Sequence, residues 1–221
     1  MCAVARRSTL ATVLLAVLAM TGCASQGSAS QSPVANVSSH DADGLHGIVL
    51  PQPHHVPEAR LADTSGRPFR LATDAKKPLT LVFFGYTNCP DICQVVMAGI
   101  ASALVRLDDG QRAQVAMVFV TTDPARDTTR RLRSYLDRFN PSFEGATGDL
   151  DAIVRVAHAF DVPIEKGERL PSGGYDVNHG TQVTGVLPDG RAPFVWTQGT
   201  APGELADDIA KILDDDKVPG L

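Results

Sequence analysis

Two uninterrupted apolar runs, Leu79–Gly85 (LTLVFFG) and Val115–Thr121 (VAMVFVT), constrain this chain more than any other feature. Both are rich in β-branched and aromatic residues and neither has a polar face, which is the pattern of a strand buried on both sides of a sheet. A sheet covered on both faces needs helices, and the rest of the chain supplies them. Val96, Ile100, Leu104 and Leu107 recur at helical spacing, as do Leu132, Tyr135, Leu136 and Phe139. Asp123-Pro124 is the expected N-cap and first-turn pair of that second helix. Asp149–Phe160 reads as a third helix, and Leu205, Ile209, Ile212 and Leu213 as a last one.

Turn chemistry completes the pattern. Thr64-Ser65-Gly66-Arg67 separates two short strand candidates beginning at Leu61 and Pro68, and Pro188-Asp189-Gly190 separates Gln182–Leu187 from Ala192–Trp196. The order is hairpin, β, α, β, α, α, β, β, α. A βαβ half followed by a ββα half is a thioredoxin-like layout: one α/β domain, a mixed central sheet and helices on both faces. Residues 59–221 are assigned to it. The 43% hydrophobic and 20% charged fractions suit a folded domain, and a net charge of −5 without a basic tract gives no footprint for nucleic acid. A monomer is expected.

The first residues read as an address. Arg6 and Arg7 precede the apolar run LATVLLAVLAM at Leu10–Met20, about half of the ~20 residues a bilayer-spanning helix requires but matching the core of a secretory signal. Met20-Thr21-Gly22-Cys23 follows and resembles a bacterial lipoprotein signal, which implies removal of residues 1–22 and acylation of Cys23. Loss of the two arginines changes the net charge from −5 to −7. The arginine pair also suits twin-arginine export. Residues 23–58 begin small and polar and then carry Pro51, Pro53 and Pro57, so they read as a flexible tether.

Of the four cysteines, Cys2 leaves with the signal and Cys23 is the candidate anchor, which leaves Cys89 and Cys93 for chemistry. They stand where the first buried strand turns into its helix, at the sheet edge where α/β sites are built. A helix start favours the thiolate. Spacing of four residues on a helix separates Cα atoms by roughly 6 Å, which lets two sulfurs form a disulfide or converge on one soft metal ion. Spacing alone does not separate redox work from metal work. Among the histidines, His158 reads as a helix residue, His40 and His46 as solvated, and His54-His55 as a loop pair. His179 differs, since Tyr175-Asp176-Val177-Asn178-His179 runs from a Gly-rich loop toward a core strand. Met97 and the aromatic Phe84 and Tyr86 read as core.

Three segments carry a family resemblance: Phe84–Cys93 (FGYTNCPDIC), Thr122–Thr128 (TDPARDT) and Tyr175–His179 (YDVNH). Together they resemble the Sco/SenC family, copper-handling assembly proteins of cytochrome c oxidase. The resemblance implies copper bound by Cys89, Cys93 and His179, and a role in delivering copper to oxidase subunit II or in reducing that subunit's cysteines. It also implies an extracytoplasmic site of action, consistent with a lipid anchor in the cell membrane. Soft thiolates suit Cu(I), and an added imidazole makes Cu(II) tolerable. Gln94 and Thr129 stand where the family commonly has Pro, Asn178 where it has Asp, and Gly180 where it has Ser or Thr; none of these is a ligand. The competing reading is a thiol–disulfide oxidoreductase with Cys89 and Cys93 as its catalytic redox pair, although three residues intervene where thioredoxin-type enzymes have two.

Overall fold

The structure, a computed structural model, describes residues 44–169 and 175–214, and for 166–169 and 175–179 it describes the main chain alone. In chain order the elements are β1 (Ile48–His55), β2 (Leu61–Asp63), β3 (Pro68–Phe69), α1 (Leu71–Asp74), β4 (Leu79–Gly85), α2 (Ile92–Arg106), α3 (Asp109–Ala113) and β5 (Val115–Thr121). They continue with α4 (Thr129–Leu136), β6 (Glu144–Thr147), α5 (Leu150–Ala159), β7 (Ile164–Arg169), β8 (Tyr175–His179), β9 (Val183–Val186), β10 (Arg191–Trp196) and α6 (Pro202–Asp214).

One mixed sheet runs in the order β1-β10-β9-β4-β5-β6-β2-β3, with β7 and β8 as a separate two-stranded ribbon. The two apolar runs form its centre. β4 and β5 pair in parallel, β6 extends the parallel set beyond β5, and β9 lies antiparallel on the other side of β4. Side chains alternate along each strand, so Leu81, Phe83, Met117 and Phe119 pack on one face with α2, α4 and α6. Val82, Phe84, Val118 and Val120 pack on the other with Ile153 and Val156 of α5. Every residue of β4 is buried, as a strand covered on both faces requires. The α/β layout and the two hairpins therefore follow the alternation in the sequence.

Several features depart from it, α1, α3 and the β7–β8 ribbon among them. Residues 48–55, read as irregular, form β1, which pairs with β10 at the edge of the sheet. Its prolines are compatible with that position because an edge strand needs only one side of its main chain paired. Pro51 and Pro53 lie within the stretch between Val49 and His54 where the register shifts. Leu45, before the strand, is buried in the core, so packing begins well ahead of Ala59. β6 was also missed, since Glu144–Thr147 (EGAT) has none of the bulky residues that mark a strand. Finally, α4 is capped by Thr128, whose Oγ1 accepts from the Arg131 N–H at 3.2 Å, and not by Asp123. Among the described residues no helix is long and apolar enough to cross a membrane.

Candidate metal centre

β4 ends at Gly85 and the chain turns before α2 begins. The Cys89 N–H donates to the Tyr86 carbonyl at 3.2 Å, closing that turn. α2 starts after Asp91, so Cys93 lies in its first turn while Cys89 lies ahead of it. The pair thus straddles the helix start, whereas the four-residue spacing predicts two cysteines on one helical face. The bridge across the junction is direct: the Cys93 N–H donates to Cys89 Sγ at 3.3 Å. Both are reduced thiols, 5% and 0% exposed. The hydrogen bond with the Cys89 thiol, reinforced by burial, pushes the Cys93 thiol far above the ordinary cysteine range, with a main-chain bond from Tyr86 opposing. At Cys93, therefore, the thiolate expected from a helix start is not the resting form, because its buried neighbour outweighs the helix end.

The walls around the pair leave little room. A Cβ at Gly85 would lie 2.9 Å from the Phe119 ring and 3.1 Å from Cys93 Sγ, so glycine lets the strand end approach the thiol. Tyr86, Phe84 and Met97 are fully buried in the core. Phe119 in turn meets Tyr135 of α4, with ring centroids 5.4 Å apart. Burial, with lesser contributions from the Cys93 and Cys89 thiols, raises the Tyr135 phenol well above its usual range.

Asp127 is the residue that sequence reasoning missed. Its carboxylate accepts from the Thr87 N–H at 2.9 Å, from Thr87 Oγ1 at 2.5 Å and from Thr121 Oγ1 at 2.7 Å. Thr121 Oγ1 in turn accepts from the Asp123 N–H at 3.0 Å, and the Thr122 N–H donates to the Gly85 carbonyl at 2.7 Å. Residues 121–127 therefore pin the cysteine loop to the end of β5. Asp123 forms an ion pair with Arg126, whose guanidinium lies 5.8 Å from the centre of the Tyr86 ring.

Burial raises the Asp127 carboxyl above the usual carboxylate value, only partly offset by the bonds from Thr87 and Thr121. A raised native value means the folded state holds this proton more tightly than the unfolded chain. The group's stabilising contribution is thus full below about pH 4 and is lost as pH rises through the native value. Asp127→Asn removes that dependence, so its stability relative to the parent is expected to improve as pH rises above about 4, and to level off once the native value is passed, in urea titrations. A gap that stays constant with pH would refute the assignment. Asp127→Ala, which strands the buried donors, is expected to be about 1–3 kcal/mol less stable than Asp127→Asn at every pH.

The other candidate residues are dispersed. The His179 main chain ends β8 and pairs with Ile164 of β7, while its side chain lies outside the described residues. Cys2, Cys23 and His40 also lie outside them. His54 is half-buried, 3.7 Å from the Asp161 carboxylate and edge-on to Phe160, and His55 is exposed. His46 is exposed at the N-terminal arm and His158 on the surface of α5. Among the described residues no three metal-ligating side chains gather.

The chain is similar to known proteins. A family profile described as SCO1/SenC matches residues 50–214. A Stutzerimonas stutzeri protein named for copper binding is 32% identical over 148 residues, covering 67% of this chain and 72% of its own. Protein SCO2 of Saccharomyces cerevisiae mitochondria is 30% identical over 132 residues, and the match spans 59% of this chain and only 44% of that longer protein. The structure of Bradyrhizobium japonicum ScoI with copper bound superposes with a TM-score of 0.63 at 29% identity, covering 72% of this chain and 99% of that one. Thioredoxin-like in fold and matched by the profile over most of its length, the chain belongs to the SCO1/SenC family.

Proposed function

We propose that this chain binds one copper ion through Cys89, Cys93 and His179 and passes it to the copper centre of cytochrome c oxidase subunit II, or prepares that centre's cysteines to receive it. The observation that carries the reading is the pair of buried thiols in mutual contact at the carboxyl edge of β4. Soft sulfur donors buried in the core fit Cu(I) as cargo. The copper-bound relative and the relative named for copper binding support the same cargo. Export, a lipid on Cys23 and residence on the outer face of a bacterial cell membrane complete the proposal, and rest on the N-terminal pattern Met20-Thr21-Gly22-Cys23. Such a placement suits a protein whose client is membrane-bound.

Anaerobic titration of the full chain tests the ligand set. One equivalent of Cu(I) and one of Cu(II) are expected, with Cu(II) binding lost and Cu(I) binding retained in His179→Ala. Unchanged Cu(II) binding in that variant would sink the three-ligand assignment. The anchor has its own readout: Cys23→Ala is expected to move the protein from the membrane to the soluble fraction, and continued membrane retention contradicts it.

The protonated state of Cys93 adds a pH dependence. A thiol held far above its ordinary value must lose its proton when copper binds. Each copper bound therefore releases at least one proton, and apparent Cu(I) affinity is expected to rise at least about tenfold per pH unit between pH 6 and pH 8. A flat profile in a competition titration would show that the thiol is already ionised in the apo protein.

A further inference from the structure

Beside the cysteine loop lies a cleft of about 340 Å³, floored by Tyr135 and bounded by Thr87, Asn88, Arg131, Ser134 and Arg138. Thr87 and Asn88 directly precede Cys89, so whatever occupies this cleft touches the same loop that carries the thiol.

Three observations define its chemistry. First, the Tyr135 hydroxyl is buried, the residue being 3% exposed, and it has no hydrogen-bond partner. A buried O–H without an acceptor is costly, and the residue that carries it is one of those lining the cleft. Second, the two arginines are not neutralised. Arg131 Nη1 donates to the Arg126 carbonyl at 3.3 Å, and Arg138 Nε to the Tyr135 carbonyl at 3.4 Å. The Arg138 guanidinium lies 4.7 Å from the centre of the Tyr135 ring. Neither forms an ion pair among the described residues, whereas the neighbouring Arg126 and Arg133 are matched by Asp123 and Asp137. Asp127, the nearby buried acid, is committed to Thr87 and Thr121. Third, this positive island sits in a chain of net charge −5.

Every side chain around the cleft can donate, and none is an acid. Guanidinium forks with an adjacent hydroxyl match a carboxylate in geometry and charge. The rim residues Asn88, Arg131, Ser134 and Arg138 are exposed, so the mouth is wide and suits a group presented by another surface better than an enclosed small molecule.

We propose that this cleft holds a carboxylate side chain of an acidic protein partner, docking that partner against the loop of Cys89. The cleft stands on its own geometry; that the partner is the one exchanging copper rests on the copper reading above.

The probe is a fluorescently labelled hexaglutamate peptide titrated into the full-length chain in detergent, with hexaglutamine as the neutral control. Hexaglutamate is expected to bind, more weakly as salt rises, and hexaglutamine not to bind. The double variant Arg131→Gln/Arg138→Gln is expected to weaken hexaglutamate at least about tenfold. Equal binding by the arginine variant, or equal binding of hexaglutamine, overturns the proposal. Displacement of hexaglutamate by inorganic phosphate at a lower concentration than by acetate assigns the cleft to phosphate and overturns it too. Cu(I) titration of the same proteins is scored separately. Failure of the parent to bind copper removes the copper reading and with it the identity of the partner, whereas lost peptide discrimination removes the cleft alone.

Discussion

Cys93→Ser is expected to weaken Cu(I) binding by more than the roughly 100-fold that loss of an outer hydrogen-bonding partner costs a metal site. The argument rests on donor chemistry. A serine hydroxyl is a hard oxygen that does not ionise near neutral pH, and Cu(I) selects soft sulfur. The substitution is also clean. Cys93 is 0% exposed and hydrogen-bonds Cys89 and the Tyr86 main chain, and a serine oxygen in its place can serve both neighbours. The lost volume is small, so folding stability is expected to fall by no more than about 2 kcal/mol. A competition titration against a chromophoric Cu(I) chelator, paired with a urea midpoint, separates the two effects. Affinity within tenfold of the parent would mean that copper, if bound, is held elsewhere. Cys89→Ser is expected to behave alike, since serine can still accept from the Cys93 N–H that now meets Cys89 Sγ. Two single substitutions that each remove copper and spare the fold would identify the pair as the binding site.

The parts of this molecule that were legible in the sequence are those whose physics is local. β4 and β5 announce themselves because a strand buried on both faces is apolar almost throughout, with only Thr80 and Thr121 as polar side chains. The cysteine pair is legible because it interrupts such a strand's exit. β6 was hidden because its four residues are small or polar and are held in the sheet by β5 and β2, not by any preference of their own. β1 was hidden by its prolines, whose usual meaning reverses at a sheet edge. Asp127 was hidden for another reason: its partner Thr87 is 40 residues away. Nothing in TDPARDT distinguishes the acid that pins the cysteine loop from Asp123, which does not cap the helix it precedes. The arginine cleft is assembled the same way, from residues 87–88 and 131–138. Non-local polar contacts leave no periodicity, so the site's supports are visible only once the chain is folded.

Asp208 gives the sharpest test of that non-local architecture. It lies on α6, 1% exposed, and its carboxylate gathers the N-terminal arm onto the sheet. The His46 N–H donates to Oδ1 at 2.9 Å, the Gly47 N–H to Oδ2 at 2.8 Å, and Trp196 Nε1 to Oδ2 at 2.8 Å. The fit leaves no slack, for a Cβ at Gly47 would lie 2.4 Å from Trp196 Nε1. Asp208→Ala leaves two main-chain N–H groups and a buried indole N–H without an acceptor. Each such group costs about 1–3 kcal/mol, so a loss of about 3–5 kcal/mol is expected after partial relaxation toward water. Asp208→Asn keeps one oxygen where three of these donors converge, and is expected to lose less than half as much. Trp196 is the only tryptophan in the chain, so its fluorescence reports the event directly. Hydrogen exchange at His46 and Gly47 is expected to accelerate in the alanine variant before global unfolding, because the arm and β1 are held to β10 at an edge. An alanine variant within 1 kcal/mol of the parent, with both amides still protected, would show that the arm is held by the burial of Leu45 and the pairing of β1 alone.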